Sequence, residues 1–252
     1  MNFATPIRFA IQRVLRSMGY EIRRFTLDEM NRLRLLLQIH RVDTVIDIGA
    51  NIGQFASTLR LAGYTGTIIS FEPQSAAHAR LLQLAESDPK WIVAPRVAIG
   101  AEPGEISMNL SANSVSSSVL PILDAHTQSS PASRYVGEER VPVIRLDDSD
   151  LVPREGRFFV KIDTQGFEGE VIKGAKEVLA RATGVQTELS LARLYDGQAD
   201  YLELLTLFTQ MGFEPWAVEP GFEDRESRRL LQMDATFFRP EAQAAGAVQN
   251  AA

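Results

Sequence analysis

The chain has 252 residues, 45% of them hydrophobic, enough for one sizeable core and at most a small accessory element. It has no cysteine, which excludes disulfides, thiolate metal sites and cysteine nucleophiles, and no apolar run near the roughly 20 residues that cross a bilayer. A formal charge of -6 speaks against a general nucleic-acid binder, which would carry a basic face, and a cytoplasmic enzyme is the plain reading.

Residues 1–24 hold Arg8, Arg13, Arg16, Arg23 and Arg24 against one acid, Glu21. Ile7, Ala10, Ile11, Val14, Leu15 and Met18 recur at helical spacing, so the leader reads as an amphipathic helix. With arginines cutting its apolar residues it is a poor signal peptide. It is expected to pack on the main domain with its basic face in water. Contact with a membrane surface or an anionic, lipid-linked substrate is the alternative. A second helix is predicted over about 27–39, burying Leu33, Leu36 and Leu37, and 1–41 is read as an N-terminal helical element.

From Val42 strands and helices alternate, which predicts an α/β domain over 42–240. Strands are predicted near 42–48 and 67–71, with helices near 52–62 and 74–86 and short strand material near 91–99. Between the first two strands lies Asp47-Ile-Gly-Ala-Asn-Ile-Gly53, a turn into a helix, and the second strand ends on Glu72, nineteen positions after Gly53. That layout suits a nucleoside at the carboxyl ends of two parallel strands, with the acid on the ribose hydroxyls. Asn51 stands where a dinucleotide-binding turn has its middle glycine. A buried pyrophosphate needs that glycine and an amino-acid tail does not, so S-adenosylmethionine is favoured over NAD.

The alternation breaks over about 101–157. Glu105–Leu110 and Arg140–Leu146 alternate apolar and polar residues and could pair as an extra hairpin. Between them run the Ser/Asn-rich stretch Ser111–Leu120, then His126 and Arg134, on a long loop that could be plain surface or a binding lid. A strand near 158–163 then carries Lys161 and Asp163 to the sheet edge, Gly166 allows a turn, and Glu168 opens a helix. Charges ending an apolar strand cost desolvation unless used or paired. A structural ion pair of Lys161 with Glu168 or Asp163 is the alternative to a chemical role. Glu188 repeats the pattern at the end of a strand near 185–189 and would lie beside Asp163 if the strands are neighbours. A helix near 200–211 precedes strands near 213–218 and 231–239, which are joined only by a loop and so should pair antiparallel. Residues 241–252 are Ala/Gln/Gly-rich and read as a disordered tail.

These segments together resemble the FkbM-type methyltransferases. The matching pieces are Asp47–Phe55, Phe71–Pro73, Val97–Gly100, Asn113–Leu120, Arg145–Asp148, Lys161–Glu168 and Thr187–Ser190, in the family's order. The resemblance implies a class I, Rossmann-like domain with a mostly parallel seven-stranded sheet closed by an antiparallel hairpin. It also implies S-adenosylmethionine-dependent transfer to a hydroxyl of a sugar, glycan or secondary metabolite. Asp47, Gly49, Asn51 and Gly53 would then shape the methionine side, Glu72 would hold the ribose, and Val97 and Ala98 would lie near the adenine. Asp163, expected at both cofactor and acceptor, ranks first as base, ahead of His126 and Glu188, with Lys161 beside it. Asp147 with Asp148, or Asp163 with Glu188, could offer oxygens to a metal, but the spacing is not specific and none is predicted. Two other readings are a nucleic-acid methyltransferase, disfavoured by charge, and a nucleotide-binding oxidoreductase, disfavoured by Asn51.

Overall fold

Short strands that are apolar on both faces fold only if helices cover both sides of the sheet they form. Thr44–Ile48 (β1) and Phe158–Ile162 (β7) are such strands, buried at every position. The computed structural model describes residues 28–240; the leader helix expected over 1–24 and the tail from 241 lie outside the described residues. In chain order the first half contains α1 (Asp28–Ile39), β1, α2 (Gln54–Leu61), β2 (Thr67–Phe71), α3 (Ser75–Ala85) and β3 (Trp91–Val93). A middle segment follows with β4 (Ala98–Ile99), β5 (Gly104–Ser111), α4 (Asp124–Ser129) and β6 (Tyr135–Ile144). The second half contains β7, α5 (Glu168–Lys173), α6 (Lys176–Arg181), β8 (Gly184–Ser190), α7 (Tyr201–Gln210), β9 (Glu214–Pro220) and β10 (Gln232–Phe238).

Seven strands form the main sheet in the order β3-β2-β1-β7-β8-β10-β9. Only β10 runs against the rest, pairing antiparallel with β8 and β9, the hairpin the short connection requires. This is the expected Rossmann-like arrangement, a mostly parallel seven-stranded sheet closed by an antiparallel hairpin. The chain leaves β1 toward β2 on one side and returns through β7 on the other, so the strand order reverses between β1 and β7. A crevice opens at such a reversal, outside the carboxyl ends of the strands.

The predicted strand material at 91–99 divides. Pro95 removes a ladder donor, so Trp91–Val93 edges the main sheet while Ala98–Ile99 begins a second one. That second sheet has the order β4-β6-β5, and its β5–β6 pair is the predicted extra hairpin. Helix α7 begins with a capping box: Asp200 accepts from the Leu202 and Glu203 amides, and Glu203 accepts from the Asp200 amide.

Two cores lie on either side of the sheet. Leu33, Leu37, Leu59 and Leu81 from α1–α3 meet Val45, Phe159 and Phe238 on one face. Val171, Leu179 and Phe208 from α5–α7 meet Ile46, Val160 and Phe237 on the other. Strand alternation therefore turns Asp47 and Lys161, two residues on from Val45 and Phe159, toward the α1–α3 side. Among the described residues no helix is long and apolar enough to cross a membrane.

Phe237 is fully buried with its ring 5.2 Å from that of Phe208. Phe237→Ala is expected to lower unfolding stability by about 3–5 kcal/mol, read as a lower urea midpoint at unchanged slope.

Candidate active site

Backbone contacts join the three central strand ends. The Gly49 and Ala50 amides both donate to Phe71 O at 3.0 Å, and the Asp163 amide donates to Ile48 O at 3.1 Å. The approach is so close that a Cβ on Gly49, whose φ is +80°, would sit 1.8 Å from the Asp163 carbonyl oxygen. Only glycine fits there. Asn51 is left-handed, with φ 48°, a conformation asparagine tolerates better than most residues. That twist aims its amide at Glu72.

Glu72 is buried at the end of β2 and accepts from the Asn51 amide on one oxygen and the Gln74 amide on the other, each at 2.7 Å. Burial raises its pKa to about 7, against the pull of those two amides. A second buried charge stands on β7, on the far side of β1. Lys161 Nζ lies 3.3 Å from both Asp47 Oδ1 and Asp163 Oδ2. Burial works against its ammonium, but the Asp163 and Asp47 carboxylates outweigh it and hold the pKa above the ordinary lysine value. Asp47 is fully buried, and burial raises its pKa while Lys161 opposes the rise.

Between these groups lies a cavity of about 320 Å³, large enough for a small-molecule site. Gly49, Asn51 and Glu72 line one end and Lys161 and Asp163 the centre, with Val97, Ala98 and Phe167 among its apolar walls. The Ser-rich loop contributes Val115, Ser117 and Val119, so it forms one side of the cavity. Its own serines hold it in shape: Ser111 Oγ donates to Asn113 Oδ1 at 2.8 Å and Ser118 Oγ to Gln165 O at 2.6 Å.

Residues 47–215 match the methyltransferase FkbM domain. The chain belongs to the FkbM methyltransferase family. It is 26% identical over 162 residues to the hexuronic acid methyltransferase of Haloferax volcanii, a match spanning 64% of this chain and 62% of that protein. It is 28% identical over 222 residues to the 2-O-methyltransferase of Sinorhizobium fredii, covering 83% of this chain and 90% of that one. Magnesium protoporphyrin IX methyltransferase from Synechocystis, solved with bound SAM, aligns over 95% of this chain and 85% of its own at 12% identity and a TM-score of 0.46.

In this FkbM domain most of the residues expected at the site converge. Gly49, Asn51, Glu72, Val97, Ala98, Lys161 and Asp163 line the cavity. Asp47 sits behind it beneath Lys161, and Gly53 turns the chain into α2 with φ +90° without lining it. Of the two ion pairs weighed for Lys161, the one with Asp163 forms. Glu168 instead braces the β7–α5 turn, accepting from the Thr164 and Gly166 amides at 2.9 and 3.1 Å. Glu188 does stand beside Asp163, the two joined by Gln165 Nε2 at 3.3 and 2.9 Å, but it does not line the cavity. Burial, then Asp163, raises its pKa well above the usual carboxylate range. Asp147 accepts from the Val178 amide at 2.9 Å and, like Asp148, faces Arg145. Among the described residues no group of three or more His, Cys, Asp or Glu is placed to hold a metal.

His126 is a correction. Expected on a loop closing over the acceptor, it lies buried on α4, with the rings of Tyr195 and Phe222 at 5.1 and 5.3 Å, and does not line the cavity. Burial lowers its pKa to about 4. An apolar cluster with Leu194 and Leu231 draws the imidazole in as packing material.

Several residues went unread. Gln165 bridges Asp163 and Glu188, and its Oε1 accepts from the Tyr195 hydroxyl at 2.9 Å. Gln186, Asp234 and Thr236 line the cavity from β8 and β10, and α1 brings Glu29 and Arg32. The signal for Asp234 was present: it is an acid inside an apolar strand, the same cue that singled out Asp163 and Glu188.

The depressed His126 pKa has a stability consequence. Between pH 6.5 and about 4 the unfolded chain takes a proton that the folded one refuses, so this contribution is lost as pH falls through that window. His126→Phe should remove it, flattening the fall in stability by up to about 1.4 kcal/mol per pH unit relative to the parent. Parallel urea melts of both chains at pH 4 to 7 measure the difference.

Proposed function

We propose that this FkbM-family chain transfers a methyl group from S-adenosylmethionine to a carbohydrate hydroxyl. The observation that carries the reading is the buried Glu72 carboxylate, anchored by two amides on the wall of a cavity that continues past Lys161 and Asp163. A carboxylate so held keeps further lone pairs for a ribose diol. Gly49 and Asn51 would bound the methionine moiety, and Val97 and Ala98 the adenine. The two relatives whose names specify hexuronic acid and 2-O methylation support a sugar hydroxyl as acceptor. Asn51 in place of a middle glycine argues against a dinucleotide, and the charge of -6 against a nucleic-acid acceptor.

Bound S-adenosylmethionine supplies an already activated methyl on a sulfonium, so the protein's tasks are alignment and proton removal. Holding both reactants in line can contribute several kcal/mol. Asp163 stands nearest the junction of the two half-sites. Its oxygens are engaged by Lys161 at 3.3 Å and Gln165 at 2.9 Å, which suits it to orient rather than to take a proton.

The test is calorimetric titration with S-adenosylmethionine and with NAD, and binding of NAD alone would sink the reading. Because Glu72 has a pKa raised to about 7 and its ionised form is the better acceptor, cofactor affinity should rise about tenfold between pH 6 and 8. Glu72→Gln should flatten that rise. Glu72→Ala should weaken binding at least tenfold while the far-ultraviolet spectrum stays native, a charge-assisted contact being worth a few kcal/mol.

A further inference from the structure

Beyond Asp163 the cavity continues across the sheet beneath α1. Strand pairing fixes what faces it. Lys161 lies opposite Gln186, Gln186 opposite Thr236, and Thr236 opposite Ala217. Two residues from Thr236 along β10, Asp234 lies opposite Glu219. Because β10 is antiparallel, Asp234 near its start emerges at the same edge as Asp163 near the end of β7. All these residues line the cavity; Glu188, the β8 partner of Asp234, does not.

The charged groups around Asp234 come from every neighbouring element: Asp163 and Lys161 from β7 and its turn, Glu188 from β8, Glu219 from β9, and Glu29 and Arg32 from α1. Their engagements differ. Lys161 is held by Asp47 and Asp163, Arg32 pairs with Glu219, and Glu188 accepts from Gln165 and Gln232. The Asp234 side chain makes no hydrogen bond or ion pair with the described residues, yet it opens into the cavity. Burial, with the Asp163 charge next, raises its pKa to about 6 against the pull of Lys161. It is thus ionised at neutral pH and a stronger base than an ordinary carboxylate.

We propose that Asp234 takes the proton of the acceptor hydroxyl, and that the half of the cavity around it holds an uncharged hydroxylated ring. The proposal rests on the methyl-transfer reading above. As the oxygen–carbon bond forms, the hydroxyl proton passes to the Asp234 carboxylate, and the carbon–sulfur bond breaks with its electron pair left on sulfur. The proton is then released to water, so no further reactant is needed. An anionic acceptor would meet Asp234, Glu219 and Glu29 with Arg32 and Lys161 as the nearby countercharges, and both are already paired. Uncharged hydroxyls, by contrast, can donate to those carboxylates.

The test uses the full chain with methyl hexosides, methyl 6-deoxyhexosides and the corresponding methyl hexuronides as probes. Saturation-transfer NMR on the S-adenosylhomocysteine complex should show a neutral glycoside binding at least tenfold tighter than its hexuronide, a gap that narrows in Asp234→Asn. In single-turnover transfer to the bound glycoside, Asp234→Asn should lower the rate at least a hundredfold, with KM and cofactor affinity within threefold. The parent's rise in rate between pH 5 and 7 should vanish in that variant and return, displaced, in Asp234→Glu. Equal or tighter hexuronide binding, a rate within threefold, or a preserved pH rise in Asp234→Asn overturns the proposal. So does failure of every probe to bind a chain that does bind S-adenosylmethionine. Failure to bind S-adenosylmethionine at all overturns the methyl-transfer reading instead.

Discussion

One buried ammonium organises this site. Lys161 is placed in the middle of the sheet, where a charge alone would be costly, and lies 3.3 Å from a carboxylate on either side. Such a triad need not add net stability over apolar packing, but removing one partner leaves an uncompensated buried charge at about 3–5 kcal/mol. Its consequence here is positional. Asp47 on β1 and Asp163 after β7 are tied to the same atom, across the strand pair at which the order of the sheet reverses. The backbone repeats the constraint: the Gly49 turn presses against the Asp163 carbonyl so closely that no side chain fits between them.

From that junction the cavity extends in two directions of different character. Toward β2 a single carboxylate, Glu72, is anchored by amides and backed by apolar walls, an arrangement matched to a ligand with one diol and one flat ring. Toward β8, β10 and β9 the surface is polar, with Gln186, Thr236, Glu219 and Asp234 under the helix that supplies Glu29 and Arg32. Division into a shape-specific half and a hydrogen-bonding half suits a constant cofactor and an acceptor rich in hydroxyls. It also separates functions among carboxylates that look alike in sequence. Glu168 braces a turn, Glu188 is joined to the glutamines of neighbouring elements, Asp163 is held by Lys161, and Asp234 is left exposed to the cavity. Hydrogen-bond environment, not residue type, distinguishes them.

The middle segment shows how packing overrides a chemical prior. Histidine is the side chain best matched to neutral-pH proton transfer, and His126 lies on the long connection that contributes one cavity wall. Yet α4 turns it away, into Tyr195 and Phe222, where desolvation keeps it neutral. Tyr195 works from both sides of that boundary. Its ring packs on His126 while its hydroxyl donates to Gln165 Oε1 at 2.9 Å.

The sequence by itself determined the alternation of the main domain, the antiparallel closing hairpin, the turn at Gly49 and Asn51, and the acid at Glu72. Each of these is local: periodicity, a connection too short for a crossover, or one residue at the end of an apolar run. It also brought Lys161 and Asp163 to the sheet edge and left open whether Lys161 would pair with Asp163 or Glu168, since charges at a buried strand end cost desolvation unless used or paired. Tertiary structure alone decided which partners these were, because Asp47 and Lys161 lie on separate strands brought together only by parallel pairing. It decided as well that α1 lies over the cavity, that His126 packs against Tyr195 and Phe222 away from the cavity, and that Asp234 shares an edge with Asp163. That last placement depends on β10 running backwards into the sheet beside β8. A strand far along the chain thereby delivers its first residues where the other strands deliver their last.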